Sequence, residues 1–152
     1  MTFDAHDHAA CAARARAAAA ARAAEGARLT PVRARVLDIL VREHRAMGAY
    51  DILDVLRAEG RPAQPPVAYR ALDFLVAQGL AHRVERLNAY VACARPEAPH
   101  APAFLICRGC DAVAETPALP LDAMLAEAAP GFTVERATVE AEGLCPACAA
   151  KP

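Results

Sequence analysis

Two C-x-x-C pairs, Cys107–Cys110 and Cys145–Cys148, stand in this chain with 34 residues between them. Each pair lets two sulfurs converge on one ion, and two pairs complete the closed tetrahedron of a structural zinc site. Gly109, Gly143 and Pro146 lie within or beside the pairs, where the backbone must turn tightly. A redox dithiol is the alternative, but two pairs on one strand-rich segment favour metal. Cys107, Cys110, Cys145 and Cys148 are therefore expected to hold a permanent zinc that contributes to folding.

The rest of the composition narrows the class. Hydrophobic residues make up 56% of the 152, which excludes a disordered chain, although alanine inflates the figure. No apolar run approaches the roughly 18 residues of a membrane span. Met1 to His8 carries two Asp and two His instead of an apolar secretory core, so a cytoplasmic protein without a membrane partner is expected. In that compartment cysteine pairs point to metal rather than disulfides. Residues 1–93 hold 13 basic against 10 acidic side chains, and residues 94–152 hold 4 against 8. The split hints at an anionic partner for the first part, though chance scatter of solvated charge explains it nearly as well.

Periodicity divides the chain further. Residues 9–25 are Ala-rich with interspersed Arg and read as a helix stopped by Gly26. Thr30-Pro31 is an N-cap followed by proline at the first helical position, and Val32, Val36, Leu37 and Leu40 follow at helical spacing. A third helix is predicted from Ala49 to Glu59, with Ile52, Leu53 and Leu56 inward. A fourth spans Val67 to Gln78, with Ala68, Leu72, Leu75 and Val76 inward and Tyr69, Arg70 and Asp73 outward. Leu80–Glu85 and Ala89–Cys93 then read as a hairpin around Arg86-Leu87-Asn88. Helices followed by a hairpin make a winged helix-turn-helix domain over residues 1–93. Residues 94–102, with three prolines, form a hinge. Residues 103–152 form a small α/β domain: strands at Ala103–Cys107 and Ala112–Glu115, a helix at Leu121–Ala129, and a strand through Phe132–Glu140. The fold class is thus α+β, and so small a second domain needs a staple, which zinc and a partner subunit would supply.

Four more metal-competent residues gather around the hinge: His82, Cys93, His100 and Glu115. Each has an ordinary explanation. A strand His is usually solvated, a lone Cys is a small buried hydrophobe, and a Glu is a surface charge. Cys11, His6 and His8 in the tail read as solvated residues.

The stretches Leu29-Thr30-Pro31-x-Arg33, Ala49-Tyr50-Asp51-Ile52-Leu53-Asp54 and Pro65-Pro66-x-x-Tyr69-Arg70-Ala71-Leu72-Asp73-Phe74-Leu75 resemble the ferric-uptake-regulator superfamily. Gln78-Gly79-Leu80 and the two cysteine pairs extend the resemblance over residues 27–148, in order. It is nearest the zinc-uptake branch, whose sensory site of His, Cys, His and Glu falls by position on His82, Cys93, His100 and Glu115. Only His100 stands where iron-sensing relatives carry a His-rich cluster, and a thiolate favours zinc over hard cations. The resemblance implies two Zn2+ per chain, one structural and one regulatory, in a homodimeric repressor of zinc uptake genes. One departure is Val67-Ala68 where the family shows Thr-Val or Ser-Val, which removes a hydroxyl suited to a DNA phosphate and moves that contact toward Gln64 or Tyr50.

The partner implied is double-stranded palindromic operator DNA, with no small-molecule substrate. The fourth helix enters the major groove; Arg70 and Tyr69 are its foremost contacts, since Arg reads guanine through two hydrogen bonds. Arg33 and Tyr50 position the domain on the backbone. Tyr69 also has a bland reading, as a half-buried packing residue. A sister regulator sensing iron, manganese, nickel or peroxide is the alternative function, and a zinc-buffering or protein-interaction module is a further rival. An enzyme is not expected. No His is followed two positions on by Glu, neither cysteine pair is preceded by Pro as in nucleobase deaminases, and four ligands leave no open coordination position.

Overall fold

The computed structural model describes residues 8–43, 45–116 and 119–151. Met1–Asp7, the side chain of His8, and the readings made for them lie outside that set. The described chain falls into two compact units, dividing between Ala98 and Pro99 inside the proline-containing segment.

The first unit holds four helices and a hairpin. These are α1 (His8–Ala24), α2 (Pro31–Glu43), α3 (Ala49–Ala58), α4 (Pro65–Ala77), β1 (Ala81–Val84) and β2 (Ala89–Ala92). Each boundary has a local cause. At the start of α2 the Arg33 N–H donates to Thr30 Oγ1 at 3.4 Å and the Ala34 N–H to the Thr30 carbonyl at 3.0 Å. At the start of α3 the Asp51 carboxylate reaches back to the Gly48 N–H at 3.0 Å. Pro65 and Pro66 open α4, where a missing N–H costs nothing. Both α3 and α4 end in a left-handed glycine, Gly60 (φ 75°) and Gly79 (φ 68°). Each lets the following N–H turn back onto the last helical turn, Arg61 to the Leu56 carbonyl and Leu80 to the Leu75 carbonyl.

The core of this unit is built by α2, α3 and α4. Val36, Leu40, Ile52, Leu53, Leu56, Leu72 and Leu75 are buried, each worth about 1.5–3 kcal/mol relative to exposure. The Ala-rich α1 buries only Ala15, Ala18 and Ala19 against it, so it packs closely but contributes little apolar area. In the wing, β1 and β2 pair antiparallel from Ala81↔Ala92 to Val84↔Ala89. A 3-10 turn, Glu85–Leu87, and Asn88 at φ 46° connect them. Met47 and Tyr90 exchange backbone hydrogen bonds at 2.8 and 2.9 Å, which pins the loop before α3 to the wing.

The second unit contains β3 (Ala103–Cys107), β4 (Val113–Glu115), α5 (Leu121–Ala128), β5 (Val139–Gly143) and α6 (Pro146–Ala149). The sheet order is β4-β3-β5, with β4 antiparallel and β5 parallel to the central β3. Only Ala103, Phe104, Ile106, Cys107 and Cys145 of its described residues are buried. None of α5 is buried, and Met124 and Phe132 are 58% and 72% exposed. The last strand departs from the expected Phe132–Glu140. It begins at Val139 because its register is set by the five residues of β3, from Ala103↔Val139 to Cys107↔Gly143. The alternation in 133–138 has no neighbouring strand to pair with.

Candidate metal centre and nucleic-acid interface

Parallel pairing of β3 with β5 places both cysteine pairs at the same end of the sheet. Cys107 ends β3, and β5 delivers the chain to Cys145, the N-cap of α6. The four Sγ atoms of Cys107, Cys110, Cys145 and Cys148 all lie within 4.8 Å of one another, and Cys110 Sγ stands 3.8 Å from Cys145 Sγ. Tetrahedral zinc with bonds of about 2.3 Å separates its sulfurs by about 3.8 Å, so the residues fit the ion. Backbone N–H groups support the cluster: Cys145 and Gly109 donate to Cys107 Sγ at 3.2 and 3.4 Å. The Cys145 N–H, ahead of that of Gly109, holds the Cys107 thiol down at about 6 despite its burial. The neighbouring thiols, Cys145 first, push Cys148 up to about 12. Four such groups ionise together only beside a cation. Gly109 is needed for close approach, since a Cβ there would meet Cys148 Sγ at 3.2 Å.

The other four metal-competent residues fall two to each unit. In the wing, His82 lies on β1 opposite Val91, and Cys93 directly follows β2. The Cys93 N–H donates to the Leu80 carbonyl at 3.0 Å, so both residues flank the same open end of the hairpin. Cys93 is buried and His82 half-buried. In the second unit, His100 Nε2 lies 2.6 Å from Glu115 Oε1, with both side chains largely shielded from solvent.

On the first unit the outward face of α4 carries Tyr69, Arg70 and Asp73, all exposed, and Gln64 is exposed at its N-cap. The Arg70 guanidinium makes no ion pair or hydrogen bond with the described residues, whereas Arg57 and Arg61 nearby are paired with Asp54 and Glu59. Tyr50 is 62% exposed at the first turn of α3. Arg33 is placed differently from these. Its guanidinium lies 3.9 Å over the Phe74 ring and donates to the Arg28 carbonyl, bracing the entry to α2 against α4. A cleft bounded by the start of α3, Tyr69, Asn88 and Tyr90 adjoins this face. The sequence alone marks Asn88 and Tyr90 only as turn and strand, because the cleft joins them to the distant start of α3, across the Met47–Tyr90 bridge.

No family model matches the chain. It is 44% identical over 124 residues to the zinc uptake regulation proteins of Escherichia coli (strain K12) and Shigella flexneri, covering 80% of this chain and 72% of each relative. Among solved structures it is similar to a zinc uptake regulator complexed with zinc and DNA, with a TM-score of 0.82 and 40% identity over 89% of this chain and 92% of that one. It also resembles holo XcZur, with a TM-score of 0.75 and 41% identity over 83% and 89% of the two chains. A ferric uptake regulator from Francisella tularensis, 18% identical over 82% and 96% of the two chains with a TM-score of 0.57, shares the fold. The extent of the first match, over most of both chains, shows that this protein belongs to the zinc uptake regulation protein family.

Proposed function

We propose that the chain is a zinc-responsive transcriptional repressor that binds operator DNA as a homodimer in the cytoplasm and controls zinc uptake genes. The observation that carries this reading is its likeness, at 40% identity, to a regulator solved with both zinc and DNA. The local chemistry agrees. Arg70 and Tyr69 project from α4, a helix whose opposite side is buried in the core, and Arg70 has no partner to give up among the described residues. Such a helix reads base edges while Tyr50 and Gln64 set its position on the backbone, with Arg33 bracing α2 against α4 behind them. Two copies related by a twofold axis match a palindromic site. The exposed Met124, Leu125 and Phe132 of the second unit supply apolar surface for that pairing.

Two zinc ions per chain have distinct tasks in this scheme. The ion on Cys107, Cys110, Cys145 and Cys148 staples a unit with too few buried side chains to fold robustly alone. The regulatory ion takes His82 and Cys93 from the wing unit and His100 and Glu115 from the other. Zinc here supplies a four-coordinate tie between imidazole, thiolate and carboxylate ligands. Holding both units with one ion selects a single arrangement from those that the segment 94–102 permits, so repression follows zinc by population shift.

Replacing Cys93 tests the switch. Cys93→Ser is expected to keep its thermal unfolding and one zinc per chain, while zinc no longer raises operator affinity in a titration. A zinc response equal to wild type removes Cys93 from the sensory site.

A further inference from the structure

The cleft beside α4 contains a side chain that the DNA reading leaves without a task. Tyr90 is only 5% exposed, and its ring packs into the core of the wing unit. Its backbone is fully used by Met47. Its hydroxyl has no hydrogen-bond partner among the described residues, yet Tyr90 lines an open cleft. The ring is buried, but the hydroxyl is not among the fully enclosed polar atoms, so its donor is open to a ligand entering from the cleft.

The walls of the cleft are rich in donors. The first residues of α3, Ala49 and Tyr50, line the cleft, and their N–H groups belong to the first turn, which has no helical acceptor, at the positive end of the helix dipole. Asn88 Oδ1 accepts from Arg83 at 3.1 Å, which leaves the amide nitrogen as the side chain's donor, and Asn88 lines the cleft. Tyr50 and Tyr69 add hydroxyls. The one carboxylate at the wall, Asp51, is turned back onto the Gly48 N–H. Burial, the foremost cause, raises the Tyr90 phenol above its usual range. A site with several neutral donors and a helix N-terminus, on the DNA-facing side of the unit, suits one phosphodiester oxygen pair.

We propose that Tyr90 is a DNA-contacting residue, its hydroxyl donating to a backbone phosphate seated at the N-terminus of α3. The proposal rests on the DNA-binding reading and refines it. It joins three parts of the head to one phosphate: the wing through Tyr90 and Asn88, α3 through its amides, and α4 through Tyr69. That contact fixes the depth at which Arg70 enters the groove.

The test uses the full-length, zinc-loaded dimer and a duplex selected by the wild-type protein from a randomised pool. Tyr90→Phe keeps the ring and removes one donor. Its zinc content and thermal unfolding should match wild type, and its affinity should fall about tenfold or more, as for a lost hydrogen bond to a charged group. Because a phosphate contact carries no base information, the loss should be equal on the selected duplex and on a scrambled one. Scanning single methylphosphonate substitutions should find one phosphate whose neutralisation weakens wild type but not Tyr90→Phe, a comparison that holds even if the variant is less stable. Unchanged affinity, loss confined to the selected duplex, or no such phosphate overturns the proposal. If wild type enriches no duplex from the pool, the DNA-binding reading fails instead, and this contact with it.

Discussion

A single guanidinium separates the outward face of α4 from the many salt-bridged arginines around it. Arg35, Arg42, Arg57 and Arg61 all have carboxylate partners, while Arg70 stays exposed without one among the described residues. An unengaged Arg loses no internal bond when it reads a base, so truncation should cost the full value of a bidentate pair. Arg70→Ala is expected to weaken binding to the selected duplex by roughly five- to 150-fold, equivalent to about 1–3 kcal/mol. Binding to scrambled DNA should change far less, and fluorescence anisotropy on both duplexes checks it. Equal losses on the two would make Arg70 a phosphate contact. At this scale the cysteine cluster was fully legible, because ligand type and spacing alone determine which atoms can share an ion. Tyr90 and Asn88 were not, since a strand residue facing a cleft has the same alternation as one facing a core. Arg33 was legible as important but not as a brace on Phe74, because that contact joins α2 to α4 across 41 positions of sequence.

Helix boundaries with local causes were readable, a Thr-Pro start and glycines at two ends, whereas α4 begins at Pro65 and not at the expected Val67, because prolines fit the first helical turn. The start of β5 was not, because a parallel strand takes its limits from its neighbour. Between helices the clearest polar tie is Arg35 on α2 with Glu59 at the end of α3, bonded through Nε at 2.9 Å and again through Nη2, with Asp38 at 3.2 Å from the same guanidinium. The Arg35 hydrogen bonds, foremost among several causes, hold the Glu59 carboxyl below its usual range. A carboxylate with a lowered folded pKa adds stability above its unfolded value, near 4.5, and loses it as pH falls through the folded one. Thermal unfolding of wild type should therefore drop more between pH 6 and pH 3 than that of Glu59→Gln. The difference should shrink in high salt, since the pair is solvent-exposed. Parallel acid profiles for the two proteins would show that the tie contributes nothing measurable.

For the whole molecule, the proposed switch makes a demand that no single residue can satisfy. If zinc at His82, Cys93, His100 and Glu115 raises operator affinity by holding one arrangement of the two units, DNA must raise zinc affinity at those ligands by the same factor. Couplings of this kind amount to about 1–3 kcal/mol, or roughly five- to 150-fold. The four cysteines that would hold the other ion lie wholly within the second unit, so that ion's affinity should be insensitive to DNA. A competing chelator can therefore separate the two ions: titrated against the zinc-loaded dimer, it should strip one zinc per chain first, and only that one should be retained more tightly when the selected duplex is present. The ratio of zinc dissociation constants with and without DNA must equal the ratio of DNA dissociation constants with one and two zinc ions per chain. If the two ratios differ beyond error, zinc acts on DNA binding by a route other than these four ligands. If the tightly held ion also responds to DNA, the cysteine cluster takes part in sensing, and the division of labour between the two sites is wrong.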